Sequence, residues 1–448
     1  MEEVDALIIG SGQGGVPFAI DLATEGKKTV LFERESLGGS CVNYGCTPSK
    51  AFLAAAHAAG RARKAKSLGI EASVRVDFPA VMERVRKIVG DFNSGVQQRL
   101  EKAGVRIVRA QARFTGERIV RAGGVECTAP LVVINTGTSA LIPDIPGLVG
   151  TPYLDNKSFF GMRDLPKRLL VLGGGYIGLE LGHGMARLGS HVTIFHRGER
   201  VLDREEADVS EALRQSLAED GVEFKLRANV SAVSYADGIF NLQLQDGQTA
   251  EGEALLVATG RRPNTDGLDA QAGNVALDER GYVKVDERFR TTGSGVYAIG
   301  DVAGQPAFTH VSWEDYRRLK AILKGESRTR DDRVLGYAVY TEPQVGRAGL
   351  TLDEANAKGY RARALTYPMS SVARAIEWGE TQGFYRLVVD DESGKILGAT
   401  LVGYEAAELV HVFIAHMQAG STWHSLDESV HIHPTYAEAF PSLARLFA

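Results

Sequence analysis

One short pattern occurs twice in the chain and constrains its fold more than any other feature. Leu7-Ile8-Ile9 leads into Gly10-Ser11-Gly12-Gln13-Gly14-Gly15. Helical apolar spacing follows over Pro17–Thr24, Gly26 stops it, and a second apolar run, Thr29-Val30-Leu31-Phe32, comes next. About 160 residues later the order returns: Leu169–Leu172, the loop Gly173-Gly174-Gly175-Tyr176-Ile177-Gly178, a helix to Leu188 ended by Gly189, and the run His191–Phe195. Each copy reads strand, glycine loop, helix, strand. In such a unit the first glycine (Gly10, Gly173) allows a tight turn. The second (Gly12, Gly175) lets a pyrophosphate approach the backbone, and the third (Gly15, Gly178) lets helix and strand pack closely. The anion rests on the helix N-terminus, where unpaired N–H groups and the helix dipole attract it. Two such units predict an α/β chain with two Rossmann-like dinucleotide-binding domains.

The copies differ where the second strand ends. Glu33, 23 residues after Gly10, can accept hydrogen bonds from ribose hydroxyls. In the second copy that place is taken by His196, with Arg197 beside it and Arg200 close by. An arginine near the ribose favours a 2′-phosphate, which points to NADPH over NADH. The spacing of Gly178 and Gly182, often seen with NAD, points the other way.

At roughly 150 residues per domain, 448 residues suggest about three domains, with boundaries near 150, 265 and 330. Charged residues are 24% of the chain and the net charge is −5, so there is no basic excess to neutralise a nucleic-acid backbone. No run approaches the ~20 apolar residues of a membrane span. Met1-Glu2-Glu3-Val4-Asp5 lacks the pattern of a secretory leader, which makes a cytoplasmic location the expectation.

Three cysteines occur, Cys41, Cys46 and Cys127. The first two lie in Gly38-Gly39-Ser40-Cys41-Val42-Asn43-Tyr44-Gly45-Cys46-Thr47-Pro48-Ser49-Lys50, leading into a helix expected over Ser49–Ala59. No second pair of ligands has matching spacing, so no metal site is expected. A bridge between residues five apart closes a small loop and is a poor structural staple. At a helix N-terminus the Cys46 thiolate is stabilised, as a reactive thiol requires. Cys127, in a strand-like stretch, reads as core.

On these residues the chain resembles the class I FAD-dependent pyridine nucleotide–disulfide oxidoreductases, which include dihydrolipoamide dehydrogenase, glutathione reductase and mercuric reductase. The resemblance covers nearly the whole length. Thr136-Gly137 and Thr259-Gly260 look like the family's two bends near the cofactors. Gly295-Val296-Tyr297-Ala298-Ile299-Gly300-Asp301 looks like the segment that holds the flavin ribityl chain, and Thr341-Glu342-Pro343-Gln344-Val345-Gly346 like the start of a dimerisation domain. His433-Pro434-Thr435-Tyr436-Ala437-Glu438 matches the C-terminal His-Pro…Glu motif.

The resemblance implies an FAD domain over 1–150, an NAD(P) domain over 151–265, a segment completing the FAD domain over 266–330, and a C-terminal α+β dimerisation domain over 331–448. It implies FAD contacts from Gly10, Gly12, Gly15, Glu33, Ser40, Lys50, Ala112, Gly137 and Asp301. It implies nicotinamide-nucleotide contacts from Gly173, Gly175, Tyr176, Gly178, Glu180, Arg197, Val230 and Gly260. Lys50 and Glu180 match the pair beside flavin N5, and Tyr176 the lid of the nicotinamide pocket. Cys41 and Cys46 match the redox disulfide, with Cys46 nearer the ring. His433, oriented by Glu438, would reach the cysteines of the other subunit of a homodimer, and His431 is a bystander.

The expected activity is transfer of hydride from NADPH through FAD to the Cys41–Cys46 disulfide, and on to a small disulfide or reactive oxidant. Phe308–Arg317 and Val372-Ala373-Arg374-Ala375 look more like the mercuric-reductase-like proteins and hypothiocyanous acid reductases than like dihydrolipoamide dehydrogenase. Mercuric reductases carry a cysteine pair at the C-terminus, and this chain ends Ser442–Ala448 without one. The alternatives are a dihydrolipoamide dehydrogenase serving a multienzyme complex, a mercuric-reductase-like enzyme and, from another class, a non-catalytic flavin redox sensor.

Overall fold

Short apolar runs bounded by glycines become strands buried on both faces, the pattern of parallel sheets covered by helices. A computed structural model describes residues 1–448. The chain opens with β1 (Ala6–Ile9), α1 (Gly15–Thr24) and β2 (Thr29–Glu33), followed by α2 (Gly39–Tyr44), α3 (Cys46–Lys64), α4 (Phe78–Lys102) and β3 (Arg106–Arg109). After a small antiparallel meander that buries Cys127, β4 (Leu131–Ile134) and β5 (Thr138–Ala140) follow. The helix expected over Ser49–Ala59 begins earlier, at Cys46, and runs to Lys64. Pro48 falls within its first turn, where no backbone N–H is needed.

The second unit comprises β6 (Arg168–Leu172), α5 (Tyr176–Leu188), β7 (His191–His196), β8 (Val222–Leu226) and β9 (Ala254–Val257). It forms a parallel sheet of order β8-β7-β6-β9 beside a three-stranded antiparallel sheet. The chain then returns through β10 (Arg261–Pro263), which pairs antiparallel with β5, Arg261 opposite Ala140 and Pro263 opposite Thr138. β11 (Val296–Ala298) joins the first sheet at the edge of β4, giving the parallel order β11-β4-β1-β2-β3, and α6 (Thr309–Leu323) follows. The remainder is a five-stranded antiparallel sheet backed by the helix Ala406–Gln418, with the helix Ala439–Arg445 near its end.

The site depends on how α3 packs against α5. Phe52 and Leu53 of α3 share one buried apolar cluster with Leu179, Leu181 and Met185 of α5, and with Val339, Val345 and Val402 of the C-terminal part. Gly184 permits the close approach, because a Cβ there would lie 2.5 Å from Cε1 of Phe52. A side chain at that crossing would force helices or rings apart, which typically costs ~1–3 kcal/mol. The crossing sets Lys50 on α3 opposite Glu180 on α5.

Candidate active site

A cavity of about 680 Å³ opens between the first glycine loop, the cysteine helices, α5 and α6. Gly10, Gly12, Glu33, Ser40, Cys41, Cys46, Lys50, Gly137, Asp301, Tyr176 and Glu180 all line it. Ala112 does not reach this wall; it is buried in the apolar core with Phe114 and Leu268. Gly15 lies inside the first turn of α1, where a Cβ would be 2.4 Å from the Gly10 carbonyl oxygen.

The first loop is held by residues that the local pattern does not announce. Gly10 has φ +99°, and its N–H donates to the Phe32 carbonyl at 2.8 Å. Asn135 Oδ1 accepts from Gly15 N–H at 2.8 Å, while Asn135 Nδ2 donates to the Ile299 carbonyl at 2.9 Å, tying α1 to the ends of β4 and β11. Glu33 Oε2 accepts from the Ser11 N–H at 3.0 Å and the Ser11 hydroxyl at 2.6 Å, so Glu33 clasps the loop as well as facing the cavity. The buried Thr136 hydroxyl, on the cavity wall, has no protein partner. A helix N-terminus, a glycine cradle, an acidic residue for a ribose and an unpartnered hydroxyl together fit FAD.

Cys41 lies in α2, and Cys46 is the first residue of α3. Their placement is that of the reduced form of the pair expected to cycle as a redox disulfide. Gly45 separates them, and a Cβ on it would lie 2.9 Å from the Ser40 carbonyl oxygen; only a bare backbone lets the two helices meet this closely. Cys46 Sγ is 3.0 Å from Thr309 Oγ1, the first residue of α6, so two helix N-termini converge on one sulfur. The hydrogen bond from Cys41 is the main cause that brings the Cys46 thiol down to about 6; burial opposes it, and the Thr309 hydroxyl and Lys50 ammonium add to it. Cys41, which donates to Cys46 and is itself half-buried, is pushed far above the ordinary thiol value. Both effects favour the thiolate at Cys46 over Cys41.

Lys50 Nζ donates to Glu180 Oε2 at 2.7 Å, and Glu180 Oε1 accepts from the Tyr340 N–H at 3.0 Å. The Lys50 ammonium also lies over the Tyr340 ring, 4.3 Å from its centroid. Burial works against this ammonium, but the Glu180 carboxylate outweighs it and the Lys50 value rises. Asp301 Oδ2 accepts from the Thr138 hydroxyl at 2.7 Å, and burial raises its carboxyl. Tyr176 packs against Phe308 with ring centroids 5.8 Å apart. Thr309, Tyr340 and Asn135 were not singled out from the sequence as site residues. The polar Asn135 ending the apolar run Leu131–Ile134 was a usable signal; the other two are brought in only by long-range packing.

The second loop faces a different setting. Gly173, Gly175, Gly178, Arg197, Val230 and Gly260 lie outside the cavity, while Tyr176 and Glu180 at the start of α5 reach it. Gly173 has φ +114°, and a Cβ there would be 2.3 Å from the Ala258 carbonyl oxygen. Val230 begins a strand of the antiparallel sheet and pairs with Leu244. Gly260 has φ +142° in the return connection before β10. His196 Nδ1 accepts from the Gly174 N–H at 3.1 Å, and burial lowers its value, so the ring is neutral. Arg197 and Arg200 are exposed and make no ion pair, whereas neighbouring Arg227 is paired with Glu199 at 2.9 Å. This loop, with free guanidinium groups beside it, fits a nicotinamide nucleotide.

His433 Nδ1 and Glu438 Oε2 are 2.7 Å apart, as the motif implies, yet the His433 side chain is 74% exposed and not on the cavity wall. His431 is partnered with the Ser429 hydroxyl at 2.9 Å. No group of three or more His, Cys, Asp or Glu is placed to hold a metal ion, and no helix is long and apolar enough to cross a membrane.

A glycine-loop cavity that holds a cysteine pair and a lysine–glutamate pair, reached from a second glycine-loop unit by the start of α5, defines a disulfide oxidoreductase driven by a pyridine nucleotide. The chain belongs to the pyridine nucleotide-disulphide oxidoreductase family: that family model matches residues 4–315, and its dimerisation domain matches 336–444. Membership implies FAD and a nicotinamide nucleotide, and the dimerisation domain supports a homodimer. A dihydrolipoyl dehydrogenase of Haloferax volcanii is 34% identical, over 97% of this chain and 94% of its own. The probable pyridine nucleotide-disulfide oxidoreductase RclA of Escherichia coli is 31% identical over 100% of both chains. A mercuric reductase of Bacillus cereus is 31% identical over 97% of this chain and 70% of its own. The solved structure of the HOCl-induced flavoprotein disulfide reductase RclA from Escherichia coli matches with a TM-score of 0.90 at 30% identity, covering 99% of each chain.

Proposed function

We propose that this protein is an NADPH-dependent enzyme of the cytoplasm that reduces a small disulfide or a reactive oxidant through Cys41 and Cys46. The observation that carries the reading is the placement of Cys46 Sγ at two helix N-termini, in the same cavity as the Lys50–Glu180 pair. Bound FAD supplies the two-electron relay between nicotinamide and disulfide. Gly10 and Gly12 would let its pyrophosphate approach α1, with Gly15 keeping that helix close to the loop; Glu33 and Asp301 would take its sugar and ribityl hydroxyls, and Lys50 would stabilise negative charge at the ring. Arg197, with Arg200, takes the 2′-phosphate of NADPH. In the dithiol, Cys41 loses its proton to the partner subunit's His433 and attacks the substrate disulfide. One substrate thiolate leaves and is protonated by that imidazole, and the Cys46 thiolate then displaces the second, reforming the Cys41–Cys46 bond. Glu438 fixes the imidazole for both transfers.

The arginines support NADPH, and the relative described as HOCl-induced supports an oxidant-linked role. The dihydrolipoyl dehydrogenases among the relatives keep lipoamide as the competing acceptor. Anaerobic assays with NADPH or NADH against lipoamide, oxidised glutathione, hypothiocyanite and Hg(II) separate these. NADPH is expected to lead with a disulfide or hypothiocyanite; a tenfold or greater preference for NADH with lipoamide turnover overturns the assignment. Cys46→Ser should leave FAD bound and reducible by coenzyme while disulfide turnover falls by at least ~1000-fold.

A further inference from the structure

Lys50, His57, Arg61 and Lys64 follow one another at intervals of seven, four and three along α3, and Glu180, His183 and Arg187 at three and four along α5. Such spacings put each set on one helix face. Where those faces meet, the structure buries a charged cluster that the chemistry above does not use. Arg187, 3% exposed, donates through Nε to Asp220 Oδ2 at 2.6 Å, to Glu342 through Nη1, and to His57 Nδ1 at 3.0 Å. Asp220 also accepts from His183 Nε2 at 2.7 Å and Lys64 Nζ at 2.7 Å.

The hydrogen-bond inventory fixes the direction of the next contact. A guanidinium has only donors, so His57 Nδ1 must accept, and the ring is neutral with its proton on Nε2. That N–H donates to the Tyr340 carbonyl at 3.2 Å. Burial, with Arg187 and His183 adding to it, lowers the His57 imidazole to about 4, although Glu342 opposes. The Tyr340 backbone is thus gripped on both sides of its Cα: its carbonyl by His57, its N–H by Glu180. Its ring in turn lies against the Lys50 ammonium.

We infer that His57 is a positioning residue for the redox centre: through the Tyr340 backbone it holds the Lys50–Glu180 pair at the cavity, and Arg187 with Asp220 and Glu342 fixes the tautomer that lets it do so. The inference rests on the proposal that Lys50 works beside the flavin and the Cys46 sulfur. Loosening the grip lets Tyr340 and the ammonium drift, and the Cys46 thiolate loses a counter-charge whose pull outweighs the push of Glu180.

The test uses flavin-loaded protein carrying Cys41→Ser, so that Cys46 is the one active-site thiol, and follows iodoacetamide labelling at Cys46 by mass spectrometry against pH. His57→Leu should raise the labelling midpoint by about half a unit or more, and Lys50→Met by at least as much. His57→Gln, whose amide can donate to Tyr340 and accept from Arg187, should stay near the parent. If Lys50→Met shifts the midpoint and His57→Leu does not, the inference fails while the reading of the site survives. If Lys50→Met has no effect, that reading fails as well. Equal shifts in His57→Leu and His57→Gln also overturn the inference, because shape alone would then account for them. Should His57→Leu not fold or not retain flavin, His57→Asn, too short to span both partners, is expected to show the same upward shift, and its absence counts against the inference.

Discussion

The two glycine loops have one backbone design and opposite surroundings. In both, the residue ending the second strand accepts a hydrogen bond from the N–H that follows the first glycine: Glu33 from Ser11, His196 from Gly174. The first acceptor is a carboxylate on the wall of a deep cavity; the second is a neutral imidazole beside two unpaired arginines at an open surface. The clasp serves the loop's shape, so it accepts either chemistry. On the reading proposed above, the charge left over decides which nucleotide is tolerated. A resident cofactor suits the enclosed site, and a coenzyme that arrives and leaves suits the open one.

The largest expected effect separates the two loops by what is lost. Ala at position 15 or 178 would put a Cβ 2.4 Å or 2.0 Å from the carbonyl of its own loop's first glycine, so the backbone must move in either variant. Gly15→Ala should purify colourless. Gly178→Ala should keep its flavin absorbance yet lose at least ~100-fold in kcat/KM for coenzyme, about 2.7 kcal/mol. Rapid flavin reduction by NADPH in Gly178→Ala would break the comparison. Next, His196→Glu with Arg197→Ser gives the second loop the charge of the first. The ratio of NADPH to NADH efficiency should fall by about 100-fold through loss of charge-assisted contacts and gain of a carboxylate. An unchanged ratio would place the 2′-phosphate elsewhere. Glu33→Gln removes the charge but not the shape, and FAD binding, read by flavin fluorescence, should weaken about tenfold or ~1.4 kcal/mol. The smallest effect belongs to His196→Asn, whose amide oxygen can still take the Gly174 N–H; the KM for NADPH should change less than about threefold.

Both loops were legible because their chemistry is written in consecutive residues: a first glycine at positive φ, further glycines at set spacing, an apolar run on either side, and a charged or polar residue at a set distance. The cysteine pair was legible for the same reason, and the His433–Glu438 contact falls within one turn of chain. Thr309 is 263 residues from Cys46, and Tyr340 is 160 from Glu180. Such contacts are made by packing α6 and the C-terminal sheet against helices formed elsewhere, and no local spacing encodes them. The start of α3 was misplaced because Pro48 reads as a helix breaker when its position within the first turn is unknown. Ala112 marks the other limit: carried over from the resemblance, its side chain lies in the apolar core, so any cofactor contact there would fall to its backbone, which no side-chain pattern encodes.

The pairing of β5 with β10 reaches beyond catalysis. The coenzyme-binding unit leaves its host through one strand and comes back through the strand hydrogen-bonded to it, so both ends of the insertion sit side by side, and Arg261 Nε fastens them at the Thr138 hydroxyl, 2.7 Å away. A tight reverse turn from Ala140 to Arg261 could bridge that gap, because antiparallel neighbours need only a short hairpin connection. The host sheet draws none of its five strands from the excised stretch. At its strand ends the second unit is thus a cassette in a frame, while the α3–α5 crossing, with Lys50 held by Glu180, ties its interior to the module beside it.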